Sequence, residues 1–306
     1  MHGATSVADR PGRRPHRIDI DAQSQFKGRF TLCVAAQTIE EKQRWLTALA
    51  PQSAGQGMAD AASARQSDAS TEGSHDLASA SVAISASTAG RKCRVLALHG
   101  TGVNDKVFKA KLHKLQQALG ASGKESEMIV LRAPHEMCPS HVPDSATLDG
   151  GRYYWLSRGA GAEQMTCAGA SDGNGASALI AAEVATSFAA IIHEMKTQGP
   201  FDVLLGFSQG ATAVAALTAL AHAAHQQGTA ATSAASQPHF RQLIGALQGM
   251  RPWPLPVFLC GQAIRADQWG TWVDELDGIP SRSVHVLSPE DETYSSGVEL
   301  LERFRQ

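Results

Sequence analysis

From Arg91 onward the sequence predicts an α/β fold, a doubly wound and mostly parallel sheet with helices on both faces. Three observations predict it. Short apolar runs such as RVLAL (94–98) and FDVLLGF (201–207) show no polar alternation, as strands covered on both faces do not. Longer segments with apolar residues at helical spacing lie between them. A G-x-S-x-G pentapeptide, GFSQG (206–210), falls at one strand-to-helix junction.

Residues 1–25 are polar, contain Pro and Arg, and are read as a disordered N-terminal segment. The next 25 residues, 26–50, are read as a strand–helix fragment. Phe30, Leu32 and Val34 alternate with Thr31, Cys33 and Ala35, the period of a strand. Thr38 and Glu41 form a capping box, after which Ile39, Trp45, Leu46 and Leu49 share one helical face. A strand and a helix this short need a partner surface. The fragment resembles the C-terminal end of a pleckstrin-homology domain, with Trp45 as the core tryptophan. An appendage packed on the main domain fits equally well, and neither reading implies lipid binding. Residues 51–91 are mostly Ala, Ser, Gly and Gln. That composition cannot offset chain entropy by burial, so a flexible linker is expected.

In the main domain, 92–306, the strand RVLAL runs into HGTG (99–102), and VFKAKLHKLQQAL then reads as a helix. MIVLRAP (128–134) is a second strand, stopped by Pro134. The run 178–196 is an amphipathic helix, and FDVLLGF leads through the pentapeptide into an alanine-rich helix. PVFLC (256–260) and SVHVL (283–287) are further strands, and GVELLERF (297–304) is the last helix. Low-complexity tracts near 159–177 and 226–237 are expected to be surface insertions.

The formal net charge is -2 over 306 residues, which gives no electrostatic ground for nucleic acid or an anionic membrane as partner. No run is long and apolar enough for membrane insertion, and the N-terminus lacks the apolar core of a signal peptide. The five cysteines are scattered and form no C-x-x-C. Reduced thiols, a cytoplasmic location and no metal site are the corresponding expectation.

GFSQG fits a nucleophile elbow because of where it lies. Gly206 and Gly210 leave room for a sharp turn, and Ser208 would present its hydroxyl at the carboxyl edge of the sheet. The following helix N-terminus favours negative charge there. Acyl transfer also needs oxyanion donors. The backbone N–H of Gln209 is one candidate, and that of Thr101, in HGTG after the first strand, is the other. His99 is read as structural. Asp291 lies just past a late strand, where such a fold carries its acid, with Asp267 as runner-up. Tyr153, Tyr154 and Trp155 are candidates for an acyl-pocket wall, although an aromatic run is also ordinary core.

RVLALHGTGVN, LRAPHE, GRYYW, GPFDVLLGFSQGA and HVLSPED together resemble the FSH-type serine hydrolases, members of the α/β-hydrolase superfamily, over residues 92–306. The resemblance implies hydrolysis of a carboxylic ester or thioester, with no cofactor and no metal. It implies Ser208 as nucleophile and Asp291 as the acid.

The family's histidine lies beyond the acid, after a further strand. Here the residues after Asp291 contain none, and His285 precedes it inside a strand. His135 and His141 fall near the sheet's carboxyl edge, while His193, His222, His225 and His239 read as surface. Truncation at Gln306, with the last strand and the histidine missing, is one expectation. The alternative is a non-catalytic pseudo-hydrolase that binds or scaffolds.

Overall fold

A computed structural model describes residues 6–9, 17–24, 28–35, 91–121, 125–138, 151–156, 173–226, 229–269, 271–276 and 278–304. Three strands come first: β1 (Ser6–Asp9), β2 (Arg17–Ser24) and β3 (Gly28–Ala35). The main domain opens with β4 (Cys93–Leu98), α1 (Asp105–Ala121) and β5 (Ser126–Leu131). A small ribbon, β6 (His135–Glu136) and β7 (Tyr153–Tyr154), precedes α2 (Gly173–Gln198). Then come β8 (Val203–Phe207), α3 (Gln209–Gln226), α4 (Thr229–Ser236) and α5 (Pro238–Gln248). The chain ends through β9 (Leu255–Leu259), α6 (Ala266–Trp269), a 3₁₀ turn at Thr271–Glu275, β10 (Ser283–Leu287) and α7 (Tyr294–Arg303).

The main sheet runs β1-β2-β3-β10-β9-β8-β4-β5. Its five main-domain strands are all parallel. The mostly parallel, helix-covered architecture read from the sequence is therefore present. Alternate residues of β4 serve opposite faces: Leu96 and Leu98 join one buried cluster, Val95 and Ala97 the other. Phe108 and Leu112 of α1 cover the second face. On the first face lies α3, buried from Gln209 to Leu220 on every side. A helix enclosed all round must be apolar all round, and alanine lets it lie close to the sheet. Phe188, Phe240, Trp269 and Trp272 fill the space beyond it. Each such ring contributes on the order of 2–3 kcal/mol by burial.

Three expectations need revising. Residues 1–25, read as disordered, carry β1 and β2, which pair antiparallel. The signal was present in RIDIDAQS, where Ile18, Ile20 and Ala22 alternate with Asp19, Asp21 and Gln23. The strand read at 30–35 is β3, and it adds antiparallel to the sheet edge at β10 (Val34 opposite Val284, Cys33 opposite His285). That supplies the partner surface its length required. The helix read from Thr38 and the linker 51–90 lie outside the described residues. The tract 226–237 is not a loop insertion, since Ala231 and Ala234 of α4 are buried; alanine suits tight helix packing as well as it suits a linker. Finally, Cys138 is disulfide-bonded, while Cys93 and Cys260 remain thiols outside any disulfide. Sequence spacing does not report which Cα atoms come within bridging distance, so the cysteines no longer argue for a reducing compartment. Among the described residues no helix is long and apolar enough to cross a membrane.

Candidate active site

The turn between β8 and α3 is set by steric exclusion. Ser208 has φ 51°, a left-handed conformation that costs a non-glycine residue about 1–2 kcal/mol. Packing around it holds it there. Its N–H donates to Leu259 O at 2.8 Å, and its carbonyl accepts from Ala211 N at 2.9 Å and Thr212 N at 3.2 Å. Both flanking glycines are required. A Cβ on Gly206 would lie 2.4 Å from Ala211 Cα, and one on Gly210 would lie 2.5 Å from the carbonyl oxygens of Leu98 and His99.

That second contact already brings the elbow against the end of β4, where HGTG begins. A Cβ on Gly100 would stand 3.1 Å from Ser208 Cβ, so the loop backbone passes in van der Waals contact with the serine. Gly102, at φ +73°, lets the loop turn, and its N–H donates to Tyr153 O at 3.0 Å. Asn104 is the fixture that reading the sequence for chemistry passed over. It is fully buried, caps α1 by accepting from Val107 N at 2.9 Å, and donates to Gly151 O at 3.1 Å. The Thr101 hydroxyl is buried without a hydrogen-bond partner. Gln209 is the first residue of α3, where a helical N–H has no intrahelical acceptor.

His99 is structural, in keeping with its reading. Its Nδ1–H donates to Gly100 O at 2.8 Å and its Nε2 accepts from Ala133 N–H at 3.0 Å. Both ring nitrogens are thus committed, and burial lowers its pKa below the usual imidazole value.

Asp291 follows β10, and Ser208 follows β8, with β9 between. Two strand spacings put their attachment points about 10 Å apart, a gap that one imidazole could span. The Asp291 carboxylate is half-buried, unlike its exposed neighbours Glu290 and Glu292. Its Oδ1 accepts from Thr293 Oγ1 at 2.6 Å and Thr293 N at 2.8 Å. Those donors, led by the Thr293 hydroxyl and joined by the Cys260 thiol, hold its pKa below the usual carboxylate value. Cys260 itself sits at φ 51° just past β9, between the two strands that carry Ser208 and Asp291. Asp267, the runner-up, falls in the short helix α6.

The aromatic run packs in and against the core. Trp155 and Tyr154 are buried, and the Tyr154 hydroxyl donates to Glu183 Oε1 at 3.3 Å. Burial, then the Glu183 charge, raises the pKa of Tyr154. Tyr153 packs under Arg132.

None of the histidines with described side chains sits between Ser208 and Asp291. His285 is fully buried among Phe258 and Phe304, with Nε2 3.1 Å from Ser283 Oγ. His135 stacks on Tyr154 and its Nε2 meets Glu183 O at 3.1 Å. His113, His193 and His239 are exposed on helices. His222 and His225 lie near the far end of α3, roughly 20 Å along the axis from the elbow. They are half-buried rather than fully solvated, and burial lowers both pKa values. His141 lies outside the described residues. Among the described residues no group of three or more His, Cys, Asp or Glu could hold a metal ion.

A family model described as serine hydrolase (FSH1) matches residues 84–306. Esterase CG5412 of Drosophila melanogaster is 32% identical over 135 residues, 42% of this chain and 42% of the relative. Esterase GA18864 of Drosophila pseudoobscura pseudoobscura is 33% identical over 135 residues, 42% of this chain and 40% of the relative. The chain therefore aligns with about two fifths of the length of these relatives.

Proposed function

Because the chain belongs to the FSH1 serine hydrolase family, we propose that it cleaves a small-molecule carboxylic ester or thioester through an acyl-enzyme on Ser208. The observation that carries this reading is the backbone of Ser208, held at φ 51° between β8 and α3 and against Gly100. Such strain persists only where the surroundings enforce it, and in this reading its purpose is to present the Ser208 hydroxyl at the edge of a parallel sheet.

In this reading Ser208 Oγ attacks the acyl carbonyl carbon as an imidazole, supplied by none of the histidines with described side chains, takes its proton. The N–H groups of Gln209 and Thr101 receive the developing oxyanion. The imidazolium then protonates the departing alkoxide or thiolate, leaving the acyl group on Ser208, and water reverses the sequence to release the acid. Asp291, kept ionised by Thr293 and Cys260, orients the imidazole and stabilises its charged form. The two aligned relatives are named as esterases, which supports the ester class.

One observation favours a second reading, that of a non-catalytic binding protein: no histidine with a described side chain lies beside Ser208. Incubation with a fluorophosphonate probe separates the two. Hydrolase function predicts time-dependent labelling of the wild type that Ser208→Ala abolishes. Persistent labelling of the variant, or none of the wild type, would overturn it.

A further inference from the structure

We propose that a buried hydrogen-bonded brace, Gln209–Trp155–His99, sets the spacing between the two halves of the oxyanion site. Trp155 and the Gln209 side chain are then positioning residues for acyl transfer. This rests on the reading of Ser208 as nucleophile.

The two candidate donors come from separate segments. Gln209 opens α3, whereas Thr101 follows β4. A site for an oxyanion needs both N–H groups fixed relative to each other, because stabilisation comes from dipoles that do not have to reorganise. Steric contact between Gly210 and the His99 carbonyl limits their approach from one side. Something must hold them from the other.

The Gln209 amide is used at both ends. Its Oε1 accepts from Trp155 N at 2.8 Å and its Nε2 donates to Leu156 O at 2.7 Å. Neither carboxylate nor thioether could make both bonds. The Trp155 indole Nε1–H then donates to His99 O at 2.7 Å. The Trp155 carbonyl in turn accepts from Ser187 Oγ, which anchors this segment to α2. His99 closes the chain by donating from Nδ1 to Gly100 O at 2.8 Å and accepting from Ala133 N at 3.0 Å. All three side chains are buried: Trp155 and His99 at 0% exposure, Gln209 at 5%. In a dry site each cut link leaves a polar group unsatisfied, so the brace is stiff. The backbone preceding Thr101 and the backbone of Gln209 therefore move as one body.

The test compares wild type with W155F, Q209M and the double variant. W155F keeps a ring in the core and removes the indole N–H; Q209M keeps the volume and removes both amide bonds. Hydrogen exchange reads the brace without turnover. Both variants are expected to exchange at least about tenfold faster over residues 99–104 while β4 and β8 keep wild-type protection. In ester hydrolysis kcat is expected to fall by about 10²-fold, the effect of an ångström-scale misplacement, with KM within about twofold. The double variant is expected to be no worse than the weaker single, because both cut one connection. Wild-type exchange at 99–104 in both single variants overturns the brace. So does faster exchange spread equally over the strands, which would mark general loss of packing. If Ser208→Ala leaves turnover intact, the nucleophile assignment fails, and the exchange result still decides the brace.

Discussion

Gly210→Ala probes the contact on which the site geometry depends. The new Cβ would lie 2.5 Å from His99 O, 2.5 Å from Leu98 O and 2.8 Å from Leu98 C. An ordinary carbon–oxygen contact is about 3.3–3.6 Å, so a gap of roughly 1 Å must open. The atoms it meets are backbone at the end of a central strand, and no side chain can swing away. Relief must come from moving the start of α3 away from β4. That places the cost at the upper end of overpacking, about 3 kcal/mol, or roughly 6–12 °C in Tm for a domain of this size. The displacement also carries Gln209 N–H and Ser208 away from HGTG by nearly the same distance. A misplacement of about 1 Å costs on the order of 10²-fold in kcat. Thermal unfolding and ester hydrolysis, measured on the same preparation, check both figures. A variant within about 1 °C and about twofold of wild type would refute the claim that the elbow is packed against β4.

Three further outcomes are expected. Asp291→Asn keeps an oxygen for both Thr293 donors, so Tm should change little while kcat for ester hydrolysis falls by about 10⁴-fold; a drop in Tm with kcat intact would make Asp291 structural. His99 has a pKa lowered by burial from the ordinary 6.5, so the unfolded chain takes up its proton first. Its contribution to stability is complete above pH 6.5 and is lost as pH falls from there through the lowered folded value, a slope in Tm against pH that His99→Gln should flatten. Trp272 Nε1 donates to Trp269 O at 2.7 Å, whereas Trp269 Nε1 is buried without a partner. Trp272→Phe should therefore destabilise by about 1 kcal/mol or more beyond Trp269→Phe, read from urea midpoints at equal m.

The parallel sheet was legible because strands buried on both faces must be apolar, and because G-x-S-x-G at a strand exit is nearly a geometric description. HGTG was legible for the same local reason. What escaped were pairings between distant residues. Nothing in the run GRYYW announces that Trp155 binds both Gln209 and His99, more than fifty residues away on either side. An aromatic triplet reads as pocket wall or as core until its neighbours are known. The alternation of Ile18 and Ile20 was hidden by the charged residues between them, a pattern typical of an antiparallel strand. Alanine-rich tracts were ambiguous by nature, since the same residue serves a linker and a close-packed helix such as α4.

The most direct test of Ser208 as an acyl acceptor is to trap the intermediate. Wild-type protein mixed briefly with a p-nitrophenyl ester, quenched in acid and digested, is expected to carry the acyl mass on the peptide containing Ser208 and nowhere else. An acyl group on another residue, or no adduct on a protein that nonetheless releases p-nitrophenol at the wild-type rate after Ser208→Ala, would contradict it.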